Sequence, residues 1–167
     1  MNALKIAVVG ATGRMGRMLI EAVLKDGAAE LAAAIEQPGH PLIGASAGEL
    51  VGLPCAVPVG ADAEAGIAQA NCLIDFTRPQ GTLEHLAICR RRKVAMVIGT
   101  TGLDERGKQA VAGAAREIPV VFSPNMSVGV NVVFKLLDMA SRILAQGYDI
   151  EIVEAHHRLK VDAPSGT

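Results

Sequence analysis

The residues with the clearest chemical capacity lie in the segment 154–167, which reads EAHHRLKVDAPSGT. Two histidines, an arginine and a lysine fall within five residues of this segment: His156, His157, Arg158 and Lys160. Histidine exchanges a proton near neutral pH, and lysine and arginine bind anions. We expect a chain that stops at such a cluster to carry half of a functional site, for an anionic ligand that takes up a proton.

The two histidines have separate predicted roles. On an extended backbone, the adjacent side chains of His156 and His157 point to opposite faces. A metal site would need further ligands that the sequence does not offer, so we predict none. His156 and Lys160 converge if the chain turns after Arg158. The lysine would then face a carboxylate, and either residue would supply the proton.

The small-residue turn 165–167 offers hydroxyl and N–H groups to a second carboxylate, and a helix is able to start there. A solvated basic loop is the alternative interpretation of the whole cluster. We favour a functional interpretation because the apolar run 150–153 predicts a buried strand over 149–155, and this strand would deliver the cluster to the ligand-binding edge of a sheet.

Composition limits the class of protein that positions these groups. Half of the residues are apolar, the formal net charge is −1 and aromatic residues make up 2%, which disfavours nucleic-acid binding. The three cysteines lack metal spacing and suit buried free thiols in a reducing compartment. We find neither a signal peptide nor an apolar run of the ~20 residues that span a bilayer. The expectation is a cytoplasmic globular protein without a membrane partner.

Apolar runs of strand length alternate with helical patterns along the chain. Strands are predicted at about 6–9, 30–35, 55–59, 72–76, 94–98, 119–122 and 149–155. Helices are predicted at about 62–69, 104–117 (capped by Asp104) and 130–145, and after the strands at 6–9 and 72–76. The inner faces of those last two helices are predicted to be Met15, Met18, Leu19, Ala22 and Val23, and then Leu83, Leu86 and Ala87. This alternation predicts an α/β fold with a doubly wound parallel sheet, whose ligands bind at the carboxyl ends of the strands.

A glycine-rich turn, G-x-x-G-x-x-G over residues 10–16, lies between the first strand and the first helix. Glycines at this point permit a tight turn and let backbone N–H groups approach a pyrophosphate. Glu36 closes the second strand 20 residues after Gly16, where a carboxylate accepts hydrogen bonds from an adenosine ribose. We predict dinucleotide binding; an ordinary turn with a surface glutamate is the alternative.

The choice of cofactor depends on the charge near Glu36. Its carboxylate favours the free 2′-hydroxyl of NADH and repels the 2′-phosphate of NADPH. Residues 37–40 contain no arginine to offset this repulsion, although Arg14 and Arg17 remain candidates. We predict NADH as the preferred cofactor and keep NADPH as the alternative.

Three further strand ends carry polar or glycine-rich sequences, at 75–79, 99–102 and 123–127. Each is able to contact a cofactor through backbone groups or hydroxyls, and together they favour one shared cleft. Arg78 has no preferred assignment between a structural role and a place near the ribose. The nicotinamide itself carries the chemistry of hydride transfer. A cationic pocket with a proton donor therefore suits an anionic acceptor with a C=C or C=N bond.

The segments 10–16, 75–79, 99–102 and 154–167 resemble the dihydrodipicolinate reductase (4-hydroxy-tetrahydrodipicolinate reductase) family of lysine and diaminopimelate biosynthesis. The likeness extends over essentially the whole chain. The segment 154–167 is highly specific, whereas the glycine turn alone is not. The resemblance implies a Rossmann-type sheet and an oxidoreductase that uses NAD(P)H to reduce 4-hydroxy-tetrahydrodipicolinate to tetrahydrodipicolinate.

The resemblance also implies roles for individual residues. His156 would be the proton donor with Lys160 as its partner, and His157, Ser165, Gly166 and Thr167 would bind the substrate dicarboxylate. NAD(P)H would be held by Gly10, Ala11, Thr12, Gly13, Arg14, Met15, Glu36, Gly99, Thr100, Thr101, Ser123, Pro124, Asn125 and Met126. The family commonly has an arginine after the ribose-binding acid, where this chain has Gln37, which argues against strong use of NADPH.

The same resemblance predicts the domain organisation. Residues 1–129 would form the dinucleotide-binding domain, and residues 130–167 the connecting helix, a strand and the start of a truncated substrate domain. Full-length members are expected to be homotetramers built through that second domain, which is largely absent from this chain. We expect the chain to bind cofactor and to reduce substrate poorly or not at all.

Two other functions fit parts of the sequence. A semialdehyde dehydrogenase would need a cysteine nucleophile in a cleft, but Cys55, Cys72 and Cys89 fall in apolar runs. A dinucleotide sensor or interaction module without catalysis would suit a chain that lacks a substrate domain. It predicts cofactor binding that does not depend on His156 or Lys160.

Overall fold

The computed structural model describes residues 3–153, 155, 156 and 158. The chain divides into two compact units, residues 1–122 and 123–167, and each is considered by itself below. No helix in the described part of the chain has the length and apolar character that a membrane crossing requires.

The first unit contains a parallel sheet with helices between its strands. The strands are β1 (Leu4–Val9), β2 (Ala29–Ile35), β3 (Val59–Gly60), β4 (Cys72–Asp75), β5 (Ala95–Ile98) and β6 (Val120–Phe122). The helices are α1 (Arg14–Lys25), α2 (Ala63–Ile67), α3 (Pro79–Arg92) and α4 (Glu105–Ala114). The strand order is β3-β2-β1-β4-β5-β6 and every pairing within the sheet is parallel. The predicted doubly wound sheet is confirmed. Successive strands are added on one side of β1 up to β3 and on its other side from β4 onward, so the switch point lies between β1 and β4.

Local side-chain chemistry defines where several helices begin. Asp62 caps α2 by accepting a hydrogen bond from the N–H of Ala65 at 2.9 Å. Asp104, the predicted cap, accepts one from the N–H of Gly107 at 2.7 Å. These carboxylates pair N–H groups that the first helical turn leaves without a partner.

Two apolar clusters cover the two faces of the sheet. One joins β-strand side chains to α2, α3 and α4 through residues such as Ile67, Leu86 and Val111. The other joins the sheet to α1 through Ile20 and Val23, with apolar residues of the segment 47–57 around them. Burial on both faces explains the continuous apolar run of β1, whose last four residues are all buried.

The predicted inner face of α1 was wrong for three of its five residues. Met15 and Met18 are 40% and 63% exposed, and Ala22 is exposed. The buried residues are Gly16, Ile20 and Val23. A Cβ on Gly16 would lie 2.0 Å from the carbonyl oxygen of Gly10. Because α1 packs so closely against the glycine turn at Gly16, the helix face that contains Gly16 is directed inward.

The inner face of α3 differs from its prediction in the same manner. Its buried residues are Thr82, Leu86 and Cys89, Leu83 is partly buried and Ala87 is exposed. A polar residue, Thr82, occupies the inner face because Thr100 offers its hydroxyl a hydrogen-bond partner at 2.8 Å.

In the second unit, α5 (Val128–Ile143) begins at Ser127, whose hydroxyl accepts a hydrogen bond from the N–H of Val130 at 3.5 Å. The predicted strand over 149–155 was wrong, because residues 149–153 and 155 adopt no strand conformation. Ile152 and Val153 are 87% and 93% exposed. A strand needs a neighbour that takes its backbone hydrogen bonds. Among the described residues no strand pairs with this segment.

Candidate cofactor-binding site

Four strand ends lie side by side at one edge of the sheet. Val9 pairs with both Ile35 and Asp75, and Asp75 pairs with Ile98. The loops after β1, β2, β4 and β5 therefore begin at the same level, on strands that are ~5 Å apart. This is the edge at which doubly wound sheets bind their ligands.

The glycine turn connects β1 to α1 at this edge. Gly10 has a φ of +67°, a conformation that glycine adopts without strain, and the N–H of Gly13 donates to its carbonyl oxygen at 3.0 Å. The N–H of Ala11 donates to the carbonyl of Ile35 at 3.1 Å and so joins the turn to β2. α1 starts without a side-chain cap and without an acidic residue in its first turn. The N–H groups of that turn are therefore suited to an anion such as a pyrophosphate.

The Glu36 carboxylate lies against the glycine turn. Its Oε2 accepts hydrogen bonds from the N–H of Thr12 at 3.2 Å and from the Thr12 hydroxyl at 2.7 Å. Its Oε1 accepts one from the N–H of Gln37 at 2.9 Å. Burial by itself would raise the pKa of Glu36, but the hydrogen bonds from Thr12 and Gln37 outweigh it and lower the pKa. Glu36 is consequently an anion at neutral pH.

A buried polar cluster lies beneath the neighbouring loops. Asp75, 0% exposed, ends β4 and its Oδ1 accepts from the N–H and the hydroxyl of Thr77 at 2.8 and 2.7 Å. The Thr100 hydroxyl lies 3.3 Å from the same oxygen, and Nδ1 of His85 lies 2.8 Å from Oδ2. Burial by itself would raise the pKa of Asp75, but the hydrogen bonds from His85 and Thr77 outweigh it and lower the pKa. Since the ionised carboxylate only accepts, His85 donates from Nδ1.

Close contacts join the loops to one another. A Cβ on Gly10 would lie 3.0 Å from the Thr77 methyl carbon, and a Cβ on Gly99 would lie 2.0 Å from the Phe76 ring. The loop after β4 therefore contacts both the glycine turn and the loop after β5. The predicted cofactor residues of the first unit lie on the loops after β1, β2 and β5 and in the first turn of α1. They are Gly10, Ala11, Thr12, Gly13, Arg14, Met15, Glu36, Gly99, Thr100 and Thr101. Their role in cofactor binding stays a prediction.

The predicted residues 123–126 belong to the second unit and form the loop that leads into α5. The Ser123 hydroxyl donates to the carbonyl of Asn125 at 2.8 Å, and the Asn125 side chain accepts from the N–H of Ser127 at 2.9 Å. Asn131 also donates to the Asn125 carbonyl at 3.1 Å. These bonds give the loop a defined conformation, and its part in cofactor binding stays a prediction.

The predicted catalytic and substrate residues lie mostly outside the described residues. His156 is described and exposed. The others, which are His157, Lys160, Ser165, Gly166 and Thr167, are not among the described residues. The convergence of His156 with Lys160 therefore stays a prediction, and residues 149–153 and 155, which were expected to position it, do not form a strand.

Two of the three cysteines, Cys72 and Cys89, do not suit the role of a nucleophile. All three are free thiols; Cys89 is buried, and Cys55 and Cys72 are partly buried. Burial raises the pKa of Cys89 to about 12, with smaller contributions from Cys72 and Asp75, and burial also raises the pKa of Cys72. A thiol needs a lowered pKa to act as a nucleophile near neutral pH. These two residues therefore argue against the semialdehyde dehydrogenase alternative.

Three side chains of the site were not predicted from the sequence: Asp75 as a buried acceptor, His85 and His40. His85 follows Thr82 by three residues on the buried side of α3, and this helical spacing was the available indication. His40 had no comparable indication. It lies in an irregular loop and reaches Thr12, 28 residues earlier in the sequence.

A parallel sheet in this strand order, with a glycine turn at the switch point and an acidic residue after β2, defines a Rossmann-type fold. Residues 4–126 match the family description "Dihydrodipicolinate reductase, N-terminus", and residues 129–167 match "Dihydrodipicolinate reductase, C-terminus". The chain belongs to the dihydrodipicolinate reductase family.

Individual relatives agree with this assignment. The chain is 68% identical over its full length to a 4-hydroxy-tetrahydrodipicolinate reductase of Dechloromonas aromatica, and it covers 62% of that protein. It is 60% identical over its full length to the corresponding protein of Aromatoleum aromaticum, and covers 60% of it. The chain thus spans about three fifths of the length of these relatives.

Solved structures share the fold. A dipicolinate-bound dihydrodipicolinate reductase from Paenisporosarcina sp. TG-14 is 29% identical, with a TM-score of 0.71 over 98% of this chain and 62% of that one. The apo scyllo-inositol dehydrogenase of Lactobacillus casei is 18% identical, with a TM-score of 0.57 over 84% of this chain and 42% of that one. The second likeness concerns the fold alone.

Proposed function

We propose that this chain is the cofactor-binding part of an NAD(P)H-dependent 4-hydroxy-tetrahydrodipicolinate reductase, acting in lysine and diaminopimelate biosynthesis in the cytoplasm. Family membership over the whole chain supports the reaction. The observation in the structure that carries the proposal is the Glu36 carboxylate, an anion at the end of β2 that lies against the glycine turn.

The first unit has the features that a dinucleotide requires. The N–H groups at the start of α1 would receive the pyrophosphate, because no side chain caps that helix. Glu36 would accept a hydrogen bond from the adenosine ribose. By the family resemblance, the loop 99–101 would hold NAD(P)H, and so would the loop 123–126. NADH is the preferred cofactor in this proposal, since an anionic Glu36 disfavours a 2′-phosphate.

The predicted terminal cluster would serve the acceptor. The bound cofactor supplies a hydride to the substrate. His156, with Lys160 as its partner, would supply the proton, and His157, Ser165, Gly166 and Thr167 would bind the dicarboxylate. The relative from Paenisporosarcina binds dipicolinate, a dicarboxylate, which supports this class of ligand.

We further propose that residues 1–129 form the dinucleotide-binding domain and that residues 130–167 begin the substrate domain. The family description of the C-terminal part matches from residue 129, which supports this division. The complete protein would be a homotetramer. The 167-residue chain would bind cofactor and turn substrate over weakly, because it covers 62% of a complete relative.

Titration of the chain with NADH, followed by nicotinamide fluorescence, tests the cofactor assignment. Glu36→Gln removes the charge from the ribose acceptor, and we expect about a ten-fold weaker affinity for NADH. Glu30→Gln is the matched control, because Glu30 is exposed on the same strand and lies away from its carboxyl end. An unaltered chain that binds neither dinucleotide would contradict the proposal.

The catalytic assignment is tested in the full-length protein. His156→Ala and Lys160→Ala should each lower NADH oxidation with the cyclic imine substrate steeply, while the Kd for NADH stays near its original value. Unchanged rates would refute both roles and favour a dinucleotide sensor without catalysis. Robust turnover by the 167-residue chain would refute its proposed weak activity.

A further inference from the structure

The hydrogen-bonding capacity of Glu36 is unevenly used. Each carboxylate oxygen accepts about two hydrogen bonds. Oε2 already receives two, from the N–H and the hydroxyl of Thr12, at 3.2 and 2.7 Å. Oε1 receives one from the N–H of Gln37 at 2.9 Å. Within the described residues, Oε1 is therefore the oxygen with capacity for a further donor, such as a ribose hydroxyl.

The direction of the bonds around His40 follows from simple proton counting. Nδ1 of His40 accepts a hydrogen bond from the N–H of Leu42 at 3.2 Å. A neutral imidazole has one N–H, so the proton is on the other nitrogen, Nε2. Nε2 lies 3.3 Å from the Thr12 hydroxyl oxygen. His40 is therefore the donor and Thr12 the acceptor in this pair.

The Thr12 hydroxyl connects His40 to Glu36 by hydrogen bonds. It accepts from His40 and uses its one proton to donate to Oε2 of Glu36 at 2.7 Å. The chain of donors runs from His40 through Thr12 to Glu36, and each group has a fixed role. The N–H and the hydroxyl of Thr12 and the N–H of Gln37 thus hold the Glu36 carboxylate in a single orientation. A rotated carboxylate would leave these three donors without an acceptor.

We infer that His40 is a positioning residue that selects NADH over NADPH by holding Glu36, through Thr12, in its ribose-binding orientation. This inference rests on the proposed function. A 2′-hydroxyl donates to the free position on Oε1, whereas a 2′-phosphate offers only oxygen acceptors and negative charge at neutral pH. NADPH therefore fits only when Glu36 moves away, and the donors from Thr12 oppose that movement.

A double-mutant cycle separates this role from a direct contact of His40 with cofactor. The measurement is the ratio of the Kd for NADPH to the Kd for NADH, on the 167-residue chain. His40→Ala and Thr12→Val should each lower this ratio about five-fold, the value of one hydrogen bond. The double variant should lower it no further than either single variant, because both changes break the same chain of donors. Additive effects, or an unchanged ratio in His40→Ala, would overturn the inference.

Two amide substitutions of His40 distinguish the loss of its hydrogen bond from general damage to the loop. Glutamine places an N–H donor near the position of Nε2, whereas the amide of asparagine is too short to reach it. His40→Gln should keep the original ratio, and His40→Asn should behave as His40→Ala. Equal ratios for the two would overturn the inference. Glu30→Gln is a control expected to leave the ratio unchanged, since Glu30 is exposed on β2 and lies away from the carboxyl end of that strand.

The two hypotheses fail in different ways. If the unaltered chain binds neither dinucleotide, the proposed function is refuted and the inference falls with it. If the chain binds NADH and the ratio does not respond to His40, only the inference is refuted.

Discussion

Two acidic residues follow the same plan and differ in what surrounds them. Glu36 comes directly after β2 and Asp75 ends β4, on the two strands that flank β1. Both carboxylates receive a backbone N–H and a hydroxyl from a single threonine, Thr12 for Glu36 and Thr77 for Asp75. Hydrogen bonds lower the pKa of both despite the opposing effect of burial.

The difference lies in the remaining acceptor positions. Asp75 is fully buried, and hydrogen bonds from Thr100 and His85 add to the two from Thr77. Glu36 is partly exposed and keeps a position on Oε1. The same residue chemistry therefore serves two purposes at one sheet edge. A fully buried carboxylate that receives four hydrogen bonds organises loops, and a partly exposed one that receives three is able to bind a ligand.

The largest effect should come from Asp75→Ala. The change leaves four donors of three residues without their acceptor inside the protein, and we expect the free energy of unfolding to fall by about 3–5 kcal/mol. Urea denaturation measures it. Glu36→Ala is the comparison, and it should cost less than about 1 kcal/mol because water reaches that site. Equal losses in the two variants would show that the distinction between the carboxylates is wrong.

A smaller effect should appear in the dependence of stability on pH. Because the pKa of Asp75 lies below its ordinary value of 3.8 in the folded chain, its contribution is complete above that value and is lost as pH falls through the folded pKa. Asp75→Asn removes the titrating group. Stability lost between about pH 5 and pH 3 should thus be smaller in Asp75→Asn than in the unaltered chain. Urea midpoints at the two pH values give the difference.

Glu36→Gln provides the comparison for that experiment. Its pKa is also lowered, so it should change the acid loss in the same direction, but less, because Glu36 is partly exposed. A larger change in Glu36→Gln than in Asp75→Asn would contradict the assignment of Asp75 as the structural carboxylate.

The sequence predicted the sheet well because each strand carries its own evidence. β1 is buried on both faces, and that environment leaves an apolar run that is visible without any partner. The segment 149–155 has a similar apolar run, and its predicted strand was wrong. An apolar run indicates that side chains could be buried, but it does not indicate which neighbouring strand would pair with the segment. The inner face of α1 was wrong for a related reason. Its rotation depends on the contact between Gly16 and Gly10, which is a feature of the folded turn.

The candidate site divides in the same way. Glu36 was predicted because its position after β2 is a matter of spacing along the chain. The partners of the two carboxylates were not predicted, because they depend on how the loops fold. His40 reaches Thr12 across 28 residues, and the Thr100 hydroxyl reaches Asp75 across 25. A pattern of neighbouring residues in the sequence does not predict contacts between residues that are so far apart along the chain.

The smallest effects are expected from substitution of Thr77 and Thr12. The first should change stability and the second should change cofactor preference. Thr77→Val removes the hydroxyl that lies 2.7 Å from Asp75 and keeps a methyl group against Gly10, so we expect a loss of about 1 kcal/mol of unfolding free energy. Thr12→Val should change stability by less than about 0.5 kcal/mol, because Glu36 is open to water. Its effect should appear instead in the ratio of NADPH to NADH affinity, which Thr77→Val should leave unchanged. Urea denaturation and cofactor titration of both variants provide the four values. A stability loss confined to Thr12→Val would reverse the roles assigned to the two carboxylates, because each threonine acts through the carboxylate that it contacts.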